Sequence, residues 1–159
     1  MTKDSNLKLV AENRRARFDY EISDRYEAGL ELRGTEVRSL RDGRASVAES
    51  HVEIKEGEVW LRGAHIQACE NAMQTTNHEP MRPRRLLLKH AEIANIAKAI
   101  DRKGMTVVPL RIYFNKRGRA KVEIALARGK KSYDKRDTEA RRDADRKMAA
   151  ALKNSRRAN

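Results

Sequence analysis

The sequence predicts a mainly β protein with helices, either a small antiparallel barrel or an α+β sheet, followed by a charged C-terminal tail. Several short segments alternate apolar and polar residues, which is typical of half-buried strands. The clearest hairpin, VVPLRIYFNKRGRAKVEIALA, turns at a glycine. After Gly129 the chain has no glycine or proline and many charges of both signs. An OB-like barrel fits these strands, because that fold presents a face and loops to nucleic acid.

The N-terminal part is predicted to hold a strand and a short helix. ARFDYEI alternates and reads as a strand with Phe18 on its apolar face, and RYEAGLEL follows it. GTEVRSLRDG has the pattern of a short helix, with Thr35 as a candidate N-cap and Gly43 at its end.

The middle of the chain is predicted to contain a strand pair, a long loop and a helix. HVEIKEGEVWLRGAHI forms two strands that turn at Glu56 and Gly57. NAMQTTNHEPMRPRR is a loop of about 15 residues, long enough to suggest a function. LLLKHAEIANIAKAIDRKG is an amphipathic helix, or a short strand running into one, that stops at Gly104.

The hairpin at 107–127 is predicted to turn one apolar face of each strand to the core. Alternation predicts that the outgoing strand presents Val108, Leu110, Ile112 and Phe114. On the returning strand, the residues predicted to face the same side are Val122, Ile124 and Leu126.

Charge is the strongest indication of function. The 159 residues include 36 Lys and Arg against 23 Asp and Glu, which gives a net charge of +13 and a pI near 10.2. Such an excess is typical of proteins that bind polyanions. The 129–159 segment carries +6 and the rest of the chain +7, so the charge is not confined to a tail. Nucleic acid is favoured over a membrane surface, because the body lacks a basic amphipathic helix with bulky apolar anchors.

Other features of the composition predict a cytoplasmic, non-catalytic protein. The single cysteine, Cys69, excludes an intramolecular disulfide, and the N-terminus lacks the apolar run of a signal peptide. No phosphate-binding, dinucleotide-binding or nucleophile motif is present, and the four histidines are scattered. We therefore expect no cofactor, metal or catalytic residue. A metal-dependent RNA-processing enzyme using Glu27 or Asp134 is the alternative of a different class.

Two arginine-rich motifs are candidates for RNA contact. NRRARFDY combines Asn13 with arginines that could bind phosphate, or it is a solvated strand start. RPRRLLLK places arginines on a loop before leucines that could pack on a base or belong to the core. The histidines are either ordinary surface or core residues or, for His78 and His90 beside basic runs, contacts to RNA phosphate or a base.

The tail has the pattern of a helix with little apolar surface. Ala140, Ala144, Met148 and Leu152 lie four residues apart. Asp137 and Asp143 each precede a cation by four residues, which favours a helix. This stripe is mostly alanine and has too little apolar area to dock firmly on the body of the protein, and an isolated helix of this length is only marginally stable. We therefore expect a tail that is largely disordered alone and helical against a partner, with RNA as that partner.

Six motifs in order resemble the SmpB (SsrA-binding protein, small protein B) family of bacterial trans-translation. The similarity runs from about Asn13 to Arg136, without large gaps, and the far tail is similar in character. The motifs are NRRARFDYEI, YEAGLEL, GTEVRSLR, RRLLLKHAEI, KGMTVVPLRIYF and LARGKKSYDKR.

The resemblance implies an OB-like barrel, 1–128, that binds the tRNA-like domain of tmRNA as a monomer. It implies that the complex enters stalled ribosomes, where the 129–159 tail becomes helical in the empty mRNA channel beyond the decoding centre. A ribosomal or initiation-factor OB protein that binds ribosomal RNA statically is the main alternative. Two departures stand out, because Cys69 and His51 replace aromatic residues frequent in the family.

The resemblance and the basic motifs together give the candidate site residues. For tmRNA binding they are Asn13, Arg14, Arg15, Arg17, Glu27, Arg84, Arg85 and Leu87. For the hinge, the decoding centre and the mRNA channel they are Gly129, Lys130, Lys131, Tyr133, Asp134, Lys135, Arg136, Arg141, Arg142, Arg146 and Lys147. Tyr133 is expected to stack in the decoding centre.

Overall fold

The computed structural model describes residues 7–70, 72–73, 75–129 and 132–158, without the side chains of 103, 132–139 and 154–158. Lys130 and Lys131 lie outside the described residues. In chain order the elements are β1 Lys8–Glu12, α1 Ala16–Asp19, β2 Tyr20–Leu30, α2 Gly34–Arg41, β3 Ala45–Ser46, β4 His51–Lys55, β5 Glu58–Arg62, β6 His65–Ile66, β7 Arg84–Leu87, α3 His90–Lys103, β8 Thr106–Phe114, β9 Ala120–Gly129 and α4 Ser132–Ala158.

Seven strands form one antiparallel sheet in the order β1-β8-β9-β2-β7-β5-β4, and β3 pairs with β6 in a second, two-stranded sheet. Strand β4, at one edge, also lies against β8 near the other edge, so the large sheet curls towards a barrel. The predicted fold class, mainly β with helices and OB-like, is confirmed. Among the described residues, no helix is long and apolar enough to cross a membrane.

The β8–β9 hairpin confirms the predicted pairing but not the predicted face of β8. The pairing register of β8 with β9 shifts between Pro109 and Arg111, so the side of β8 that faces the main core changes at this point. Ile112 and Phe114 lie in the main core, whereas Val108 and Leu110 join a second, smaller cluster. A bulge of this kind inverts the alternation that a sequence pattern assumes.

The segment ARFDYEI begins as a helix and not as the predicted strand. The backbone amides of Phe18 and Asp19 donate to the carbonyl of Arg15 and close one turn, and β2 begins only at Tyr20. Ala16 is buried in the second cluster beside the bulged strand. The turn therefore contributes Ala16 to the same cluster as Val108 and Leu110.

Helix α2 forms where the sequence predicts it, but its N-cap is Arg33 and not Thr35. The backbone amide of Arg33 donates to Glu36 Oε1 at 2.8 Å. The Thr35 hydroxyl instead lies 2.9 Å from the Nδ1 atom of His78. Gly43 and Gly104, the predicted helix ends, both have positive φ angles, which glycine adopts without strain.

A buried ion pair joins α2 to β7. Glu36 and Arg84 are both 0% exposed. Arg84 Nε donates to Glu36 Oε2 at 2.5 Å, and Arg82 Nη2 donates to Glu36 Oε1 at 2.5 Å. The remaining Arg84 nitrogens donate to the carbonyls of Ala64, at 2.7 Å, and Pro80, at 3.1 Å. The prediction that Arg84 contacts RNA is wrong, because its guanidinium is used entirely inside the fold.

Hydrogen bonds keep Glu36 ionised despite its burial. Burial by itself would raise the pKa of Glu36. Donation from Arg82, the Arg33 backbone and Arg84 outweighs this effect, so the pKa lies below its ordinary value. The carboxylate is therefore the form that the folded state stabilises.

Replacing Arg84 with alanine is expected to destabilise the fold strongly, because it leaves Glu36 buried with less compensation. Removing one partner of a buried pair typically costs about 3–5 kcal/mol of unfolding free energy. Urea denaturation of Arg84→Ala, with the exposed neighbour Arg85→Ala as the control, measures this loss. A loss no larger than that of the control would show that the pair does not support the fold.

Stability is expected to fall with acid as Glu36 becomes protonated. The pKa of Glu36 in the folded protein lies below its unfolded value of 4.5. Glu36 therefore contributes fully to the unfolding free energy above pH 4.5, and this contribution is lost as the pH falls through the pKa of the folded state. Unfolding free energies measured from about pH 6 to about pH 3 should therefore drop less steeply for Glu36→Gln than for the wild type. Equal slopes for the two proteins would rule out this contribution.

Candidate nucleic-acid interface

Alternation along β2 and β7 creates an outer sheet face that turns away from the core. Ala28 and Leu86 point inward and are buried, whereas Glu27 and Leu87 are exposed. Gly29 pairs directly with Leu87 across the two strands. Residues two apart on a strand share a face, so Glu27 and Leu87 lie on the same side. Two motifs that are distant in sequence therefore meet on this outer face.

The outer face carries an apolar patch around Leu87, which is 50% exposed. A Cβ atom at Gly29 would lie 3.2 Å from the Leu87 Cβ, so glycine gives the leucine room to lie against β2. On β7, Arg85 is also exposed, pairs with the half-buried Trp60 and bonds Glu58 at 3.3 Å. A leucine, an indole and a guanidinium side by side can pack on a sugar or a base.

A polar row runs across the same face on β8, β9 and β2. The register pairs Arg111 with Glu123 and Glu123 with Glu27. Glu123 accepts hydrogen bonds or ion-pair contacts from Arg111 at 3.1 Å and Arg25 at 3.5 Å. Its charge is therefore compensated, and both guanidinium groups are held in place.

Tyr113, adjacent to this row, donates its hydroxyl hydrogen bond to Glu27 Oε2. The tyrosine is only 2% exposed. Burial, and then the hydrogen bond and charge of Glu27, raise the pKa of Tyr113, so its hydroxyl remains a donor at neutral pH. Sequence reasoning missed Tyr113 and Glu123, although both alternate with the predicted core positions of the hairpin.

The three predicted arginines at the β1–α1 turn are exposed, as phosphate contacts require. The side chain of Arg14 is 89% exposed, and Arg15 and Arg17 are also exposed. Arg17 and Arg25 line one small groove of about 130 Å³, so the turn adjoins the polar row. The basic residues of the β1–α1 turn therefore lie next to the outer face of the sheet.

Asn13 does not share this exposure. It is 9% exposed, and its Nδ2 atom donates to the carbonyl of Pro109 at 3.0 Å. Its backbone amide donates to the carbonyl of Leu110 at 2.7 Å. The predicted phosphate contact by Asn13 is wrong for this geometry, because the side chain instead ties the end of β1 to the bulged part of β8.

His78 is also internal, contrary to the prediction of an RNA contact. It is 3% exposed, with Nδ1 at 2.9 Å from the Thr35 hydroxyl and Nε2 at 2.9 Å from the carbonyl of Ile66. Cys69 packs nearby, with Sγ 3.1 Å from the carbonyl of Thr35. His90 is exposed at the start of α3, and its RNA contact stays a prediction.

The tail is a helix, α4, that follows β9 closely. Its 27 residues include Tyr133, Asp134, Lys135 and Arg136, whose side chains are not described. The predicted channel residues Arg141, Arg142, Arg146 and Lys147 are exposed. Arg142 lies 5.8 Å from the ring centroid of Phe18 in α1, and Arg146 pairs with Asp143 at 3.3 Å. The helical form is as expected, and disorder of the free tail stays a prediction.

Carboxylates, histidines and cysteines are the side chains that commonly bind metal ions in proteins. In the described part of the chain, no group of three or more such side chains is placed to hold a metal ion. Glu27, the carboxylate that an RNA-processing enzyme would use, is bonded to Tyr113. The chemistry that this face offers is hydrogen bonding, ion pairing and stacking.

Comparisons with known proteins point to one family. The family model described as SmpB protein matches residues 10–154. A protein from Rhizobium etli (strain CIAT 652) named SsrA-binding protein is 54% identical over 148 residues, covering 93% of this chain and 92% of its own. A protein of the same name from Novosphingobium aromaticivorans is 56% identical over 146 residues, covering 92% and 91%.

One solved structure is also similar, and its description reads "tmRNA-SmpB: a journey to the center of the bacterial ribosome". The sequences are 48% identical, and the TM-score is 0.63. The alignment covers 76% of this chain and 84% of the other. Sequence and fold therefore point to the same family.

Arg17→Ala is expected to weaken binding of a folded RNA and to reduce its salt dependence. Removing one cation that neutralises a phosphate lowers the slope of log affinity against log salt by roughly 0.7–0.9. Arg44→Ala is the matched control, because Arg44 is paired with Glu70 at 3.0 Å and lies between α2 and β3, outside the strands of the seven-stranded sheet. An unchanged slope for Arg17→Ala in filter-binding titrations would remove this residue from the interface.

Proposed function

The chain belongs to the SmpB protein family, and from this we propose that it is a tmRNA-binding protein of trans-translation. It binds the tRNA-like domain of tmRNA and delivers that RNA to ribosomes stalled without a stop codon. The C-terminal tail detects the empty mRNA channel, and peptide tagging and ribosome rescue follow. The protein itself is not a catalyst.

The observation that carries this proposal is the meeting of Glu27, Arg85 and Leu87 on one exposed face. These residues come from separate motifs on β2 and β7, and the sheet register brings them together. A face with a hydrogen-bond acceptor, a cation and an apolar contact suits a folded RNA with exposed bases. The adjoining Arg14, Arg15 and Arg17 supply charge for the phosphates.

The described geometry also supports a division of labour between body and tail. Residues 1–128 carry a net charge of +7 and 129–159 carry +6; the sheet ends with β9 at Gly129, and α4 covers Ser132–Ala158. The exposed cations of α4 can follow RNA walls, and confinement in the channel favours the helical form of a segment that has little apolar surface to dock on the body. A message already in the channel would exclude the helix, so its ordering reports an empty channel.

A chain that ends at Lys131 is expected to fold and to bind tmRNA but to lose peptide tagging. The main core and the outer face lie within β1 to β9, so removing α4 leaves them intact. Affinity for tmRNA and tagging on stalled ribosomes are measured side by side. If truncation abolished RNA binding, or left tagging normal, the proposed role of the tail would be wrong.

Tyr133→Ala is expected to impair ribosome engagement more than Lys135→Ala. Tyr133 is the one aromatic residue after Gly129, and stacking on a base is worth about 1–3 kcal/mol. A single lysine contact in a charged segment contributes less and depends on salt. Tagging rates at several salt concentrations compare the two variants, and equal rates would argue against stacking by Tyr133.

A further inference from the structure

A groove of about 530 Å³ opens on the outer face beside the β8–β9 turn. The volume is within the range of small-ligand sites and can hold one nucleotide. Its polar walls come from Arg25, Glu27, Arg111, Tyr113, Lys116, Arg117 and Glu123. Four of these side chains are basic and two are carboxylates, and within the part of the chain that the structure describes one of the two carboxylates is not paired with an arginine.

Glu27 is that carboxylate, because Glu123 is already compensated by two arginines. In the described part of the molecule, Tyr113 is the one protein group that donates a hydrogen bond to Glu27. An ionised carboxylate accepts at about four lone-pair sites, so one donor leaves most of its capacity open. Glu27 is exposed and lines the groove, so this capacity is accessible to an incoming group.

The surroundings determine the class of ligand. Arg25, Lys116 and Arg117 line the groove and repel a cationic group such as a lysine of a partner protein. The same cations attract phosphate. A ligand that suits both features has neutral N–H donors for Glu27 and an anionic chain for the rim. An RNA nucleotide with an unpaired base has this combination.

The Watson–Crick edges of the bases differ in what they offer a carboxylate. Adenine and cytosine each place an acceptor nitrogen beside their amino group, and uracil flanks its N–H with two carbonyls. These acceptors repel a carboxylate. Guanine presents two adjacent donors, N1–H and the N2 amino group, which match the two oxygens of one carboxylate. The charge-assisted pair is stronger than a neutral one.

We infer that Glu27 accepts hydrogen bonds from the Watson–Crick edge of an unpaired guanine in the bound RNA, and that Tyr113 positions Glu27 for this contact. The inference rests on the proposed function for the source of the RNA. Tyr113 is buried, so its hydroxyl is fixed in the sheet. It holds Oε2, while Arg25 and Lys116, which line the same groove, receive the flanking phosphates.

Chemical footprinting of the tRNA-like domain of tmRNA with kethoxal, which modifies guanine at N1 and N2, tests the contact. With the full-length protein, one unpaired guanine should be protected. Glu27→Gln should lose this protection while the complex still forms on a native gel, and Tyr113→Phe should lose part of it. Glu53→Gln and Tyr20→Phe, on β4 and at the start of β2, are the matched controls. Protection that survives Glu27→Gln would overturn the inference.

A second measurement separates failure of the inference from failure of the proposed function. Isotope-labelled protein is titrated with GMP, IMP and AMP, and the backbone amides of residues 25–27 and 113 are followed. GMP should bind about tenfold more tightly than IMP, which lacks the N2 amino group and so makes one hydrogen bond fewer to the charged group. Equal affinities would overturn the guanine assignment. Loss of tmRNA binding by the wild type would instead refute the proposed function.

Melting temperatures distinguish positioning from a purely structural role of Tyr113. A structural role predicts that Tyr113→Phe melts earlier and binds GMP and IMP with the wild-type ratio. A positioning role predicts that the ratio falls towards one, whatever the melting temperature. An unchanged ratio in a stable Tyr113→Phe protein would remove Tyr113 from the site.

Discussion

The ion pair between Glu36 and Arg84 links parts of the chain that otherwise have little in common. One guanidinium bonds a carboxylate of α2 and the carbonyls of Ala64 and Pro80, all inside the fold. Strand β7, which carries this arginine, lies between β2 and β5 in the sheet. The position of Leu87 beside β2 therefore depends on a charge pair buried on the opposite face of the same strand.

Arginine serves three different purposes in this molecule, and burial and pairing separate them. Arg84 is internal and structural, Arg25 and Arg111 are held by Glu123 on the outer face, and Arg14 and Arg17 extend into solvent. The high positive charge is thus partly used inside the protein to order its own backbone. Among the exposed arginines, Arg17 lies beside Arg25 and Glu123 at the edge of the outer face, which is an arrangement suited to a folded RNA.

Local patterns predicted the hairpin, the β4–β5 pair, α2 and α3, because alternation, helical periodicity and glycine turns act over a few residues. They did not predict the bulge at Pro109, which reversed the face of Val108 and Leu110. They also placed Arg84 on the surface, because its partner Glu36 lies 48 residues away. Pairing at that distance depends on sheet register, and the Tyr113–Glu27 contact was missed for the same reason.

We propose that the outer face, and not the tail, selects the RNA. Ultraviolet crosslinking in cells, followed by sequencing of the RNA and mass spectrometry of the peptides, tests it most directly. If the outer face selects the RNA, one abundant tRNA-like RNA, tmRNA, should be crosslinked to peptides of β2, β7 and the β1–α1 turn. Recovery of ribosomal RNA alone, or of tmRNA crosslinked only through α4, would contradict it.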